Sequence, residues 1–251
     1  MIHAAYLLQM MDDIAGLMGQ GPDALCRLHD HGGFVLSGAM AADLNMGFLT
    51  RLSPRAEFDE MLAAVRARGA PATLLIEDGA DEVRHWAAAA GLRDSGRMPV
   101  MERPADPVDV PPGIAVRRAA PAEMAIGNRL AAAAFGLDET QCHIAMPAAA
   151  LANPDNELWI AEIAGAPVGC GLFIRTGHHV GVYRLSVAAA HQRRGVGGAV
   201  LAAAMADHLD TGADRFTLGA TPTGQRLCER LGFRVVSQPH IHLIGAAAPL
   251  A

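Results

Sequence analysis

The sequence contains no lysine, and all 20 of its basic residues are arginine. A Walker A phosphate-binding loop needs a lysine that reaches the phosphates, so this absence excludes that class of nucleotide site. Proteins encoded by GC-rich genomes commonly show the same bias toward arginine and alanine, and we therefore expect a bacterial source.

Cysteine is scarce, and long apolar runs are missing. The four cysteines are widely spaced: Cys26, Cys142, Cys170 and Cys228. Without CxxC spacing they predict reduced thiols in a cytoplasmic protein rather than a disulfide framework or a zinc site. No apolar run reaches the roughly 18 residues of a membrane span. Asp12 and Asp13 interrupt the apolar N-terminal run, which therefore does not predict a signal peptide.

The charge balance is mildly acidic, with a formal net charge of −6. Nucleic-acid-binding proteins usually carry a basic face, and the sequence shows no basic stretch of that kind. A hydrophobic content of 51% is typical of a globular protein that buries a core. We therefore expect neither nucleic acid nor membrane as a partner, and the acidic balance favours a small cationic substrate.

A polar, proline-rich stretch divides the chain. Residues 103–113 read RPADPVDVPPG, a composition that is typical of a linker. We therefore predict an N-terminal domain over residues 1–103, a linker over residues 104–113 and a C-terminal domain over residues 114–251.

The two parts share an order of elements. The C-terminal part predicts β-α-α-β-β-β-α-β-α-β, and its last strand covers residues 234–244. The N-terminal part predicts helix MLAAVRARGA, strand ATLLIEDG, helix DEVRHWAAAAGLR and strand MPVMERP. GLR at 91–93 falls between a helix and a strand, as GFR at 232–234 does. This repeated pattern predicts two related α/β units, and two unrelated α/β pieces are the alternative.

The stretch HQRRGVGGAV (191–200) lies between a strand-like and a helix-like apolar run. A dinucleotide fingerprint would need a third glycine at Val200 and an acidic residue about twenty positions later, after the first strand of a βαβ unit. The preceding strands look antiparallel, which disfavours that interpretation. The spacing QxxGxG instead puts Gly195 and Gly197 at the start of a helix, where backbone N–H groups can bind a pyrophosphate.

Three segments together resemble the GNAT acetyltransferase superfamily, whose members hold coenzyme A at this loop: QRRGVG (192–197), LSV (185–187) and LGATPTGQRLCERLGFR (218–234). The resemblance covers residues 114–244, and the N-terminal half resembles the degenerate first half of tandem bacterial members. It implies an α/β (α+β) fold with a central mixed, mostly antiparallel sheet flanked by helices. It also implies acetyl-CoA as cosubstrate and a small-molecule or peptide amine as acceptor. Relatives often form homodimers.

In this family the pantetheine arm of the coenzyme pairs with the fourth strand, and an amine attacks the thioester directly. The resemblance therefore implies a coenzyme-binding set on that strand, the loop and the end of the next strand: Leu185, Ser186, Val187, Gln192, Arg193, Arg194, Gly195, Val196, Gly197, Gly198 and Thr221. The reaction also needs proton transfer. The candidate catalytic side chains are Tyr183, Cys228 and Glu162.

Cys228 departs from the family pattern, because a tyrosine that protonates the leaving thiolate is usual at its position. A thiol of pKa about 8.5 could donate a proton, but its sulfur lies much closer to the backbone than a phenol oxygen. A small packed helix residue is the alternative. Thr221 stands at a common asparagine position and Ala189 at a common proline position. These departures leave a second function open, an acetyl-CoA-binding module without ordinary activity.

Histidine and asparagine positions raise further possibilities. His240 and His242 alternate on one strand face, but the sequence places no third ligand beside them, so we predict no metal site. His143 lies in the region that lines the acceptor site in relatives, with a surface position as the alternative. Asn45 resembles an asparagine of the N-terminal half-domain, in a role that the sequence leaves open.

Overall fold

The computed structural model describes residues 2–106 and 113–245. The helices are α1 (Ile2–Met18), α2 (Arg55–Arg68), α3 (Asp81–Ala89), α4 (Met124–Phe135), α5 (Glu139–Ala145), α6 (Val196–Asp210) and α7 (Pro222–Arg230). The strands are β1 (Leu25–His29), β2 (Gly32–Leu36), β3 (Asn45–Leu49), β4 (Ala72–Ile76), β5 (Arg93–Arg97), β6 (Val100–Pro104), β7 (Ala115–Arg118), β8 (Asn156–Ile163), β9 (Ala166–Thr176), β10 (His179–Val187), β11 (Arg215–Gly219), β12 (Arg234–Ser237) and β13 (His240–Ile244). Most of the predicted linker, residues 107–112, lies outside the described residues.

The chain forms two compact units. The first contains the residues up to Pro99 and those from Val236 onward, and the second contains Val100–Val235. The first unit holds a six-stranded sheet in the order β1-β2-β3-β4-β13-β5, and the second a seven-stranded sheet in the order β12-β6-β11-β10-β9-β8-β7. The predicted domains, residues 1–103 and 114–251, differ from these two units in the placement of two strands. Strand β6 belongs to the second sheet, and β13 belongs to the first.

Each sheet is mostly antiparallel and contains a parallel pair. In the first unit β3 and β4 are parallel, and in the second unit β10 and β11 are parallel. The series β3-α2-β4-α3-β5 has the same order as β10-α6-β11-α7-β12. The two units therefore repeat one α/β pattern, as the sequence predicted.

The repeated GLR and GFR segments end equivalent helices in the same way. Gly91 and Gly232 both adopt the left-handed conformation, with φ of 74° and 85°. The amide of Leu92 donates to the carbonyl of Ala87, and the amide of Phe233 donates to the carbonyl of Cys228. Glycine suits this position because it has no Cβ that would clash in the left-handed region.

Two strand predictions need correction. The closing strand predicted over residues 234–244 is two strands, β12 and β13, in different sheets, separated at Pro239, whose ring nitrogen carries no hydrogen for a ladder bond. The sequence also failed to predict β5. Its five residues, RDSGR, are all exposed, so they lack the apolar alternation that identifies a half-buried strand.

Glycines on β9 set the distance between the second sheet and α6. A Cβ atom on Gly169 would lie 2.6 Å from Val196 Cγ1, and one on Gly171 would lie 3.2 Å from Val200 Cγ1. The first turns of α6 can therefore pack against the strand only because these two positions carry no side chain. This close packing fixes the start of α6 relative to the end of β10.

Asn45 is a buried structural anchor of the first unit and is fully shielded from solvent. Its Oδ1 accepts a hydrogen bond from the amide of Ser37 at 2.9 Å. Its Nδ2 donates to the carbonyls of Ala39 at 2.8 Å and Pro71 at 2.9 Å. The side chain thus satisfies backbone groups on both sides of β3.

We expect Asn45→Ala to lower the free energy of unfolding by about 3 kcal/mol, because it leaves several buried backbone groups without partners. Urea unfolding of the full chain measures this value. Gln20→Ala is the control, since Gln20 is exposed and its truncation should change stability by less than about 0.5 kcal/mol. Equal effects of the two substitutions would contradict an anchoring role for Asn45.

Candidate functional site

The two parallel strands of the second unit separate before β10 ends. Strand β10 pairs with β11 from His179, opposite Arg215, to Val182, opposite Leu218. Strand β10 then continues to Val187. Beyond Val182, the described residues give β10 a strand partner on its β9 side only. The backbone N–H and C=O groups of this edge are therefore available to an extended ligand.

A β-bulge marks the point of separation. Tyr183 lies opposite Leu172, whereas Ser186 lies opposite Cys170, so two residues of β10 face one residue of β9. Arg184, inside the bulge, has a positive φ of 52°. The Ser186 hydroxyl donates to the carbonyl of Arg184 at 2.8 Å and stabilises the turn in the strand. Bulges re-aim side chains and end pairing beside functional sites.

The QxxGxG loop follows directly and leads into α6. Gln192 Nε2 donates to the carbonyl of Val187 at 3.3 Å, which ties the loop to the end of β10. Gly195 caps α6 with φ of 83°, and Arg193 also has a positive φ, of 59°. Arg193 and Arg194 are exposed, so their positive charges lie at the entrance to the helix.

The start of α6 has the chemistry of an anion site. The amide of Ala199 donates to the carbonyl of Gly195, so the N–H groups of Val196, Gly197 and Gly198 precede the regular helical bonds. They carry the partial positive charge of a helix N-terminus. A Cβ on Gly198 would meet nothing within 4 Å, so open space lies beside this turn. These features fit a pyrophosphate, which can accept several backbone hydrogen bonds at once.

Helix α7 lies on the other side of the opening. Thr221 is its N-cap, and the Thr221 hydroxyl oxygen accepts from the amide of Gly224 at 3.1 Å. The side chain of Leu227 approaches Gly197, because a Cβ at Gly197 would lie 3.1 Å from Leu227 Cδ2. An apolar wall formed by α7 and the side chains of Leu185 and Val187 therefore borders the loop.

Cys228 lies in the hydrophobic core of the second unit rather than on its surface. It is 3% exposed and belongs to the core cluster that includes Leu201 and Phe233. Burial raises the pKa of its thiol to about 11. Because the thiol is enclosed in this core, the geometry favours the packing role over the catalytic one.

Tyr183 and Glu162 have different surroundings. Tyr183 is half-buried and stands at the point where β10 leaves β11. Glu162 lies on β8, which is two strands and thus about 10 Å from β10 across the sheet. Its carboxylate pairs with Arg117 at 2.8 Å, and Arg117 also binds Glu123 at 2.7 Å. The structure therefore does not bring Glu162 together with Tyr183.

Helices α4 and α5 pack on the face of the sheet opposite α6. Cys170 Sγ lies 3.7 Å from the carbonyl of Gly127 in α4, while its neighbours Gly169 and Gly171 face α6. His143, on α5, is exposed, as the alternative interpretation predicted, but its ring also contacts a buried side chain. Asn128, buried on α4, lies with Nδ2 3.2 Å from His143 Nδ1 and 3.0 Å from the carbonyl of Met146.

These contacts fix the tautomer of His143. The carbonyl of Met146 can only accept, so the amide nitrogen of Asn128 must face it and His143 Nδ1 must accept the second N–H. The proton of the neutral ring is therefore on Nε2, which lies 3.4 Å from Glu139 Oε1. Asn128 could not be identified from the sequence, because the spacing of a single polar residue within an apolar helix does not indicate which residue it contacts.

In the first unit, the equivalent pair of parallel strands, β3 and β4, does not separate. The pairing of β3 with β4 continues to the end of β3, where the amide of Glu77 donates to the carbonyl of Leu49. Glu77 is 1% exposed, and its carboxylate accepts from the amide of Arg51 at 2.8 Å. A carboxylate of the protein thus binds a loop N–H in the first unit, which agrees with the absence of a QxxGxG loop there.

Within residues 2–106 and 113–245, no group of three or more His, Cys, Asp or Glu side chains is placed to hold a metal ion. His240 and His242 lie 6.4 Å apart between ring centroids on β13 of the first unit. No helix in the described parts of the chain is long and apolar enough to cross a membrane. The four cysteines are free thiols.

Comparison with known proteins agrees with this geometry. Residues 154–235 match the family model of the acetyltransferase (GNAT) domain. The chain is similar in structure to a GCN5-related N-acetyltransferase from Kribbella flavida, with a TM-score of 0.69, 14% identity and 96% of each chain covered. A GCN5-related N-acetyltransferase from Sphaerobacter thermophilus gives 0.62 at 18% identity, covering 98% of this chain and 95% of the other.

A tandem GNAT protein from the clavulanic acid biosynthesis pathway is also similar, with a TM-score of 0.62, 14% identity, and 98% of this chain and 96% of the other covered. No curated protein matches the sequence. At these identities the structural matches establish the fold. They confirm the predicted GNAT fold, and the match to the family model lies within the second unit, over residues 154–235.

Proposed function

We propose that this GNAT acetyltransferase domain transfers an acetyl or other acyl group from acetyl-CoA to a primary amine by direct attack. One observation carries the proposal: the open edge of β10 leads into a glycine-capped helix start at the point where β10 and β11 separate. An extended ligand with a pyrophosphate at one end fits this arrangement. The acyl thioester of the coenzyme supplies the reactive group.

Backbone groups, more than side chains, supply the proposed contacts with the coenzyme. The open edge at Leu185, Ser186 and Val187 would pair with the amides of the pantetheine arm, and the N–H groups from Gly195 to Gly198 would hold the pyrophosphate. Arg193 and Arg194 add charge, and Gln192 positions the loop through Val187. Thr221, which caps α7, stands at the far side of the opening.

Tyr183 is the candidate proton carrier that the geometry favours, because it stands at the point of strand separation. Holding both reactants in line and moving one proton are the two demands of direct acyl transfer. Cys228 and Glu162 are weaker candidates, since one is buried in the core and the other is bound to Arg117. Backbone N–H groups near Val187 would stabilise the developing oxyanion.

A second function is favoured by Cys228: an acetyl-CoA-binding module without ordinary catalysis. Its thiol occupies the position where the family usually has a tyrosine, and it is buried. Both functions predict coenzyme binding, so turnover separates them. We expect calorimetry to show micromolar binding of acetyl-CoA and much weaker binding of ATP. Release of free thiol from acetyl-CoA across a panel of primary amines supports the transferase, whereas tight binding without release supports the module.

Substitution of the proton-transfer candidates tests the role of Tyr183. We expect Tyr183→Phe to lower kcat/KM about 100-fold with unchanged acetyl-CoA affinity, because the loss of one general acid or base costs this much. Cys228→Ala and Glu162→Gln should keep activity within about threefold. Thiol-release kinetics measure these values.

The other tyrosine, Tyr6, provides a matched control, since Tyr6→Phe removes the same hydroxyl from a half-buried position in the first unit. A loss of activity in Cys228→Ala as large as in Tyr183→Phe would reassign the proton donor to Cys228. We expect the protein to act in the cytoplasm, where acetyl-CoA and reduced thiols coexist.

A further inference from the structure

Arg184 connects the site to the helices on the opposite face of the sheet. Its backbone lies in the bulge of β10 with φ of 52°, a conformation that is strained for a residue other than glycine and persists only where its surroundings enforce it. Its side chain reaches the segment formed by α4 and α5. The Arg184 guanidinium NH2 lies 3.3 Å from Cys142 Sγ on α5 and the guanidinium carbon 5.7 Å from the ring centroid of Phe135 at the end of α4.

These two contacts of the guanidinium reach the last residue of α4 and the middle of α5, a region called here the α4–α5 junction. Phe135 is the last residue of α4, and Cys142 is buried on α5. A planar guanidinium can stack on a ring and donate a hydrogen bond at the same time, which an ammonium group does less well. Arg184 therefore links the bulge, where β10 stops pairing with β11, to the α4–α5 junction.

Contacts from Asn128 on α4 also hold α5. Asn128 joins α4 to His143 and to the carbonyl of Met146, and these bonds hold the C-terminal end of α5. The Arg184 contacts lie at the α4–α5 junction. The short helix α5, only seven residues long, depends on such tertiary contacts because isolated helices of this length are unstable.

We propose that Arg184 is a positioning residue for the amine acceptor: its side chain holds the α4–α5 junction, in the helix region that lines the acceptor site in relatives, against the bulge of β10, whereas the coenzyme loop is held separately. This inference rests on the proposed acyl transfer to an amine. The loop over residues 189–198 is held by the bond from Gln192 to the carbonyl of Val187, by the Gly195 cap and by the first bonds of α6.

The test compares three substitutions at Arg184 in the full chain. Arg184→Met keeps an unbranched apolar stem and the backbone strain but removes the guanidinium. Arg184→Lys keeps the charge but removes the planar group, and Arg184→Gly removes the side chain while relieving the positive φ. Arg129→Met is the matched control, because Arg129 is an exposed residue on α4 itself.

Two measurements need no acceptor. Amide hydrogen exchange should be about tenfold faster over residues 136–145 in Arg184→Met and Arg184→Gly than in the unsubstituted protein, and unchanged over residues 189–200. Calorimetry should give an acetyl-CoA Kd within about twofold of the original. Arg129→Met should change neither quantity.

With the fastest amine of the panel, Arg184→Met should raise KM for the amine at least about fivefold and keep kcat within about threefold, with Arg184→Lys intermediate. Unchanged exchange over α5 would overturn the inference, as would normal behaviour of Arg184→Gly beside a defective Arg184→Met, since that pattern assigns the effect to backbone strain. If the unsubstituted protein releases no thiol with any amine, the proposed function fails, and the exchange experiment still decides whether Arg184 holds the junction.

Discussion

Replacement of Gly198 by tryptophan is expected to abolish acetyl-CoA binding while the protein stays folded. A Cβ at Gly198 would meet no atom within 4 Å, so the fold has room for a side chain there. Side chains on a helix lean toward its N-terminus, and an indole at this position would cover the N–H groups proposed to hold the pyrophosphate. We expect the Kd for acetyl-CoA to rise at least about 100-fold, which corresponds to about 2.7 kcal/mol.

Gly198→Ala is the control, because alanine adds one methyl group in open space and is a better helix former than glycine by about 1 kcal/mol. It should bind acetyl-CoA nearly as well as the original and unfold at an equal or higher temperature. Gly197 is a poorer choice for the bulky substitution, since a Cβ there would already lie 3.1 Å from Leu227 Cδ2. Unchanged affinity in a folded Gly198→Trp variant would show that the loop is not the pyrophosphate site.

Features that depend on local chemistry were predictable from the sequence. The glycines of QxxGxG occupy the turn and the first turn of α6, as expected for a strand–loop–helix junction. The equivalent positions of Gly91 and Gly232 identified equivalent helix ends, because a left-handed residue after a helix favours glycine in both units. The order of elements in the second unit followed from apolar periodicity.

Features that depend on strand partners were not predictable. The apolar pattern of MPVMERP identifies a strand, but it does not say which sheet receives it, and β6 lies between β11 and β12. The same limit applies to the site. The bulge at Arg184 arises from the register between β10 and β9, and Glu162 is bound by an arginine from the neighbouring strand β7. Neither the strand register nor this ion pair can be predicted from the spacing of the residues involved.

The exchanged strands lead to the second large expected effect. A fragment of residues 114–251, the predicted C-terminal domain, is expected not to fold, whereas a fragment of residues 100–237 is expected to fold and to bind acetyl-CoA. Strand β6, which only the fragment of residues 100–237 contains, accounts for this difference in folding. Val100 and Met101 are almost fully buried, and β6 pairs with β11 along its whole length, from Pro104 opposite Arg215 to Val100 opposite Gly219.

Without β6, the fragment 114–251 would leave the edge of β11 and the core beside Met101 exposed to water. It would also carry β13, whose residues His240, His242 and Ile244 are buried in the sheet of the first unit. Unpaired edges and exposed apolar strands promote aggregation. A typical domain is stable by only about 5–15 kcal/mol, and loss of an internal strand removes its hydrogen bonds and its buried side chains together.

The two fragments, expressed in parallel, can be compared by near-UV circular dichroism, thermal unfolding and acetyl-CoA titration. Cooperative unfolding and coenzyme binding by residues 100–237, beside an aggregated or non-cooperative 114–251, would support the strand assignment. The opposite result would place β6 outside the second sheet. Because β11 lies between β6 and β10, the strand from the N-terminal part of the chain supports the strand from which β10 separates. The opening proposed to bind acetyl-CoA therefore depends on residues that precede the linker as well as on those that follow it.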